Sequence, residues 1–130
     1  MLSSELPVAQ LKAEFFKAIG HPIRVRVLEL LVGGEASVGS LADSIGSEIS
    51  NLSQQLGVLR RAGVVVTRRD GNTILYALRD PELVELLAVA RRMLVSNLQD
   101  SRALLHSLEA EDVEAVGGER PGDLISDRTR

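Results

Sequence analysis

Apolar positions recur at spacings of three and four along the first part of the chain. Val8, Leu11, Phe15 and Ile19 mark one helical face that Gly20 interrupts. His21-Pro22 opens a second helix, because proline is tolerated at the first helical position, and Ile23, Val27, Leu28, Leu30 and Leu31 follow before Gly33-Gly34. His21 is expected to close the start of that helix rather than to act as a ligand or pH sensor. Ser37 caps a short third helix carrying Val38, Leu41 and Ala42, and a turn at Gly46-Ser47 leads into a fourth. In the fourth, Ile49, Leu52, Leu56 and Leu59 make a narrow apolar stripe. Ser50, Asn51, Ser53, Gln54, Gln55, Arg60 and Arg61 occupy the remainder.

The period changes after Gly63. Val64-Val65-Val66-Thr67 and Thr73-Ile74-Leu75-Tyr76-Ala77-Leu78 are β-rich runs joined through Arg68-Arg69-Asp70-Gly71-Asn72, and Asp-Gly between such runs signals a hairpin. Pro81 starts a long last helix with one stripe of Leu83, Leu87, Ala90, Leu94 and Leu98 and a second of Leu86, Val89 and Met93. Two stripes exceed what one contact face needs, which implies a second surface to bury. From about Ala110 the periodicity stops, and residues 109–130 are expected to be an acidic tail without a fold of its own.

A chain of 130 residues falls in the range of one domain, and its 45% apolar and 25% charged residues are ordinary for a folded one. No apolar run approaches a membrane span, and Met1 to Leu6 lack the basic-then-apolar order of a leader, so a cytoplasmic protein without membrane contact is expected. The absence of cysteine excludes disulfides, thiolate metal sites and cysteine nucleophiles. Only Phe15, Phe16 and Tyr76 are aromatic, so the core is expected to be aliphatic and a base-stacking platform is not expected. Phe15 and Phe16 read as core and dimer contacts before they read as the lining of an effector pocket.

The net charge of −3 argues weakly against a nucleic-acid partner, but its distribution matters more. Between Ile49 and Arg79 five arginines face one acid, Asp70, whereas Glu109 to Arg130 hold seven acids and three arginines. Helix, turn, helix and two-stranded ribbon is an order with mechanical meaning. A polar helix face fits a DNA major groove, and an arginine-bearing hairpin reaches neighbouring phosphates or the minor groove. Hydroxyls and amides both donate and accept, and an amide can bond adenine at two atoms, so Ser50, Asn51, Ser53, Gln54 and Gln55 are candidate base readers. Arg60, Arg61, Arg68, Arg69 and Asn72 are candidate backbone contacts, while Arg24 and Arg26 fit a phosphate or a surface role equally.

Three phrases resemble the ArsR/SmtB group of bacterial winged-helix repressors, over about Leu11 to Leu105: His21-Pro22-Ile23-Arg24-Val25-Arg26-Val27-Leu28, then Ser50 through Val65, then the wing phrase Arg68-Arg69-Asp70-Gly71-Asn72. The resemblance implies a mainly α winged helix-turn-helix with a two-stranded β-wing, in the order α-α-α-α-β-β-α, over residues 1–108. It implies a homodimer through the first and last helices, with Leu11, Phe15, Leu87, Leu94 and Leu98 as interface candidates. It also implies a double-stranded, near-palindromic operator as partner. Members of the group usually release DNA on binding a metal. Here Ser37-Val38-Gly39-Ser40-Leu41-Ala42-Asp43 offers no soft ligand in the third helix. In the last helix His106 and Glu109 match half of the carboxylate-histidine pattern, while Met93 and Val95 stand where its other half belongs. No cofactor is expected, and the effector is not named by the sequence.

Two other readings stay open: a winged-helix interaction or dimerisation module without DNA binding, and a metal-responsive repressor using His106 and Glu109. Catalysis is not expected, since no Gly-x-Ser-x-Gly elbow, phosphate-cradling glycine loop or His-Glu-x-x-His occurs.

Overall fold

The computed structural model describes residues 5–117, with side chains through residue 111. Its elements run α1 (Glu5–Ile19), α2 (Pro22–Leu31), β1 (Ala36–Ser37), α3 (Val38–Ile45), α4 (Ile49–Arg61), β2 (Val65–Asp70), β3 (Thr73–Leu78) and α5 (Glu82–Gly117). Two compact units divide within α5, after Leu87.

Local chemistry accounts for most boundaries in the first unit. The His21 ring Nδ1 accepts from the Ile23 N–H at 3.1 Å, and Pro22 occupies the first turn of α2, where its missing N–H costs nothing. Ser37 Oγ accepts from the Ser40 N–H at 3.1 Å and closes the start of α3. At the other end of α3, Gly46 takes φ +78°, and the N–H groups of Gly46 and Ser47 both reach the Ala42 carbonyl. A side chain at Gly46 meets no neighbour within 4 Å, so only the left-handed backbone selects glycine there. Asp80 Oδ1 accepts from the Glu82 N–H at 3.0 Å, so the start of α5 is closed as well.

The core is aliphatic, as the composition implies. Val27, Leu28 and Leu31 of α2, Leu41 and Ala42 of α3, Leu52, Leu56 and Leu59 of α4, Val64, Val65 and Leu83 form one buried cluster. Among the described residues none of the buried ones is polar or charged. Burial of each leucine contributes about 1.5–3 kcal/mol, and this cluster holds α2, α3 and α4 in one fixed arrangement.

Four features differ from the sequence expectation. A third strand exists: β1 pairs antiparallel with β3, Ala36 opposite Tyr76 and Ser37 opposite Leu75, giving sheet order β1-β3-β2. Two residues are too few to show the alternation that betrays a strand. The hairpin loop is the pair Gly71-Asn72, flanked by Asp70 opposite Thr73, so Arg68, Arg69 and Asp70 belong to β2 rather than to the connection. Gly71 takes φ +65° while no non-glycine among the described residues has positive φ, which is the type II′ pattern with glycine first. Ile49 is 54% exposed although it continues the apolar stripe of α4. As the first helical residue its side chain leans back past the helix end and off the core. Finally, α5 stays helical to Gly117, beyond Ala110 where the periodicity stops; residues 118–130 of the expected tail lie outside the described residues. No helix among the described residues is long and apolar enough to cross a membrane.

Candidate nucleic-acid interface

The helix-turn-helix is α3, the three-residue turn Gly46-Ser47-Glu48, and α4. Leu52, Leu56 and Leu59 are completely buried and fix the roll of α4 about its own axis. Helical geometry then turns Ser50, Asn51, Ser53, Gln54, Arg60 and Arg61 outward, and all six are exposed. No acidic residue lies in α4. The wing approaches this face where Ser53 of α4 and Asn72 of the hairpin loop line the same open cleft, together with Ser37 and Ile74. The outer face of α4 and the wing tip therefore border one cleft, with Ser53 and Asn72 both among its lining residues.

Gln55 behaves differently from its neighbours. It is half-buried, its Oε1 accepts from Arg24 Nη1 at 2.8 Å, and its Nε2 donates to Asn51 Oδ1 at 3.4 Å. As a candidate reader it is already engaged within the protein, because α2 passes close enough for Arg24 to reach its oxygen. Arg24 Nη2 donates to the Lys17 carbonyl at 3.4 Å, so one guanidinium ties the end of α1 to α4. The Arg24 Nε is buried without a partner, a cost of about 1–3 kcal/mol that this bridge must offset. Arg24 thus makes two contacts within the protein, whereas Arg26 lies on the surface and pairs with Glu29 at 3.3 Å.

The two wing arginines are also unequal. Consecutive strand residues point to opposite faces. Arg69 shares its face with buried Val65 and half-buried Thr67, and Arg68 shares the other with exposed Val66 and Asp70. Arg68 is held by Glu35, its Nε at 2.8 Å from Glu35 Oε2 and its Nη2 at 2.5 Å from Glu35 Oε1. This two-pronged pair holds the Glu35 carboxyl below its ordinary range and raises the Arg68 guanidinium further. Arg68, a candidate backbone contact, thus has a guanidinium that already faces a carboxylate from the segment before β1. Arg61 lies over Gly57, its Nη1 3.1 Å from where a Cβ would stand, so a larger residue at 57 would displace it.

Of the apolar positions expected at a dimer interface, Leu11 is 66% exposed, Phe15 37%, Leu94 61% and Leu98 69%. Leu87 differs, since it is half-buried against the core of the first unit. Phe15, and not Phe16, lines a cleft of about 420 Å³ with Gly63, Val64, Arg79, Leu83 and Leu86. His106 and Glu109 are exposed on α5, and no group of three His, Cys, Asp or Glu among the described residues is placed to hold a metal ion. Glu35 escaped the sequence reading because nothing near it in the chain marks it; Arg68 is 33 positions away.

A buried leucine spine under a polar helix, preceded by a three-residue turn and followed by a glycine-tipped hairpin, defines a winged helix-turn-helix DNA-binding protein. A family model described as "Helix-turn-helix domain" matches residues 19–68. The HTH-type transcriptional regulator Rv0081 of Mycobacterium tuberculosis is 58% identical over 105 residues, which is 80% of this chain and 92% of the relative. Its crystal structure superimposes with a TM-score of 0.69, covering 73% of this chain and 96% of that one. The biofilm growth-associated repressor of Xylella fastidiosa is 44% identical over 75 residues, 58% of this chain and 66% of the relative. The crystal structure of NolR from Sinorhizobium fredii, 33% identical, gives a TM-score of 0.66 over 72% of this chain and 93% of that one. The chain belongs to the ArsR/SmtB family of winged helix-turn-helix transcriptional regulators.

Proposed function

We propose that this regulator is a repressor that binds a near-palindromic duplex operator as a homodimer. The observation that carries this reading is the acid-free polar face of α4, set on a completely buried leucine spine and bordering one cleft with the wing tip through Ser53 and Asn72. Ser50, Asn51, Ser53 and Gln54 read base edges in the major groove, and Arg60, Arg61, Arg69 and Asn72 hold the backbone. Exposed leucines on α1 and on α5 support the homodimer, each helix offering apolar area that a second copy covers. A two-fold dimer sets half-sites about one DNA turn apart, roughly 34 Å. Similarity to a relative named as a repressor supports repression as the sign of regulation. A chromosomal operator as ligand implies a cytoplasmic protein.

The test is binding of the full chain to its own promoter region and to a scrambled duplex across a salt series. The promoter is expected to bind tighter, with affinity falling steeply as salt rises. Gln54→Ala costs about 1–3 kcal/mol on the promoter and nothing on the scrambled duplex. Equal binding of both duplexes by the unaltered protein refutes sequence-specific repression.

A further inference from the structure

Resting on the reading above, we propose that Arg24 is a positioning residue that orients the Asn51 carboxamide, so that Asn51 donates to the DNA and selects guanine over adenine at its base pair. Arginine has only donors, whereas a carboxamide has a donor end and an acceptor end. Arg24 Nη1 stands 2.8 Å from the Gln55 side chain, so the end of Gln55 that faces it is the oxygen. The nitrogen end of Gln55 must then point the other way, where it donates to Asn51 at 3.4 Å. That long, exposed contact biases the second carboxamide in turn: Asn51 Oδ1 faces Gln55, and Nδ2 is left toward solvent on the exposed face of α4.

The chain of three side chains is polarised from its half-buried end at Arg24, whose Nη2 also reaches the Lys17 carbonyl at 3.4 Å, and Gln55 is half-buried between its two partners. A paired asparagine meets adenine with both ends, accepting from N6 and donating to N7. Asn51 with its oxygen turned inward cannot do this without giving up Gln55. What it offers outward is an N–H pair, which suits an edge of acceptors alone. Among purines that edge is guanine, with N7 and O6 side by side, while adenine presents its own donor next to N7.

The experiment selects binders from a pool of randomised duplexes with the full chain and with four variants, then sequences what is bound. Asn51→Ala loses preference at one symmetric pair of positions and so locates the base pair concerned. There the unaltered protein prefers guanine to adenine by about tenfold. Arg24→Met brings the two purines to near parity and leaves the rest of the motif intact, whereas Arg24→Lys, which restores a donor, keeps guanine. Gln55→Glu keeps the partner of Arg24 but can no longer donate to Asn51, so Asn51 turns its oxygen outward and the preference moves to adenine. This last variant decides the matter if Arg24→Met fails to fold by circular dichroism. Adenine preference in the unaltered protein, no position lost in Asn51→Ala, or guanine retained in Gln55→Glu each overturns the proposal while leaving sequence-specific binding in place. No motif at all from the unaltered protein overturns the repressor reading itself, and the proposal with it.

Discussion

Arg68 and Arg69 are neighbours of the same type in the same strand, and a count of wing charges treats them alike. The structure separates them. Removing Arg69 deletes a cation with no carboxylate partner in the described structure, whereas Arg68 already neutralises Glu35 through two bonds. Each phosphate contact adds about 0.9 to the slope of log affinity against log salt, so Arg69→Ala flattens the slope of a dimer by about 1.8. Over a fourfold rise in salt, from about 50 to about 200 mM, this is roughly a twelvefold difference in affinity lost. Arg68→Ala is expected to change the slope by much less, and Glu35→Gln to steepen it, because Arg68 then becomes available to a phosphate. Fluorescence anisotropy of a labelled promoter duplex, titrated at five salt concentrations for each variant, reads all three slopes. Equal flattening by Arg68→Ala and Arg69→Ala would show that Glu35 yields Arg68 to DNA at no cost, and the argument from the ion pair would fail. The pH dependence carries the same logic. The Glu35 carboxyl is held below its ordinary value by Arg68, so the pair contributes above that ordinary value and is lost only as pH falls through the lowered one. Wing electrostatics are therefore constant near neutrality and shift only in acid.

Other outcomes follow from packing, capping and exposed surface. Leu56→Ala empties a completely buried site at the centre of the α4 spine and is expected to cost about 2–5 kcal/mol in urea unfolding, with DNA binding reduced to the same extent as the folded fraction. His21→Ala removes the acceptor that closes α2 and costs about 0.5–2 kcal/mol, whereas His21→Asn, a good capping residue, recovers most of it in the same assay. Leu98→Glu puts a charge at a position 69% exposed in the single chain, so the isolated fold tolerates it while a dimer that buries Leu98 does not. Sedimentation is expected to show monomer, and an unchanged dimer would remove Leu98 from the interface.

Much of this molecule could be read from the order of residues. The caps at His21 and Ser37, the stop at Gly46 and the leucine spacing of α4 act over two to seven positions, and each appears in the structure where the spacing puts it. The hairpin was legible too, though its loop is the pair Gly71-Asn72 and not the five residues from Arg68 to Asn72, because antiparallel pairing carries β2 on through Asp70. Strand β1 was not legible, since its pairing depends on the edge of β3 some forty positions on.

The sequence alone determined which residues could bear the function, a polar and acid-free α4 and a cluster of arginines in the wing, because periodicity and composition are local quantities. Which of those residues are free to bear it was decided only by tertiary structure. Arg24 meets Gln55 across 31 positions and Arg68 meets Glu35 across 33. Hydrogen bonds and charges act over a few ångströms of space, and no spacing along the chain encodes which distant side chains the fold brings within that reach.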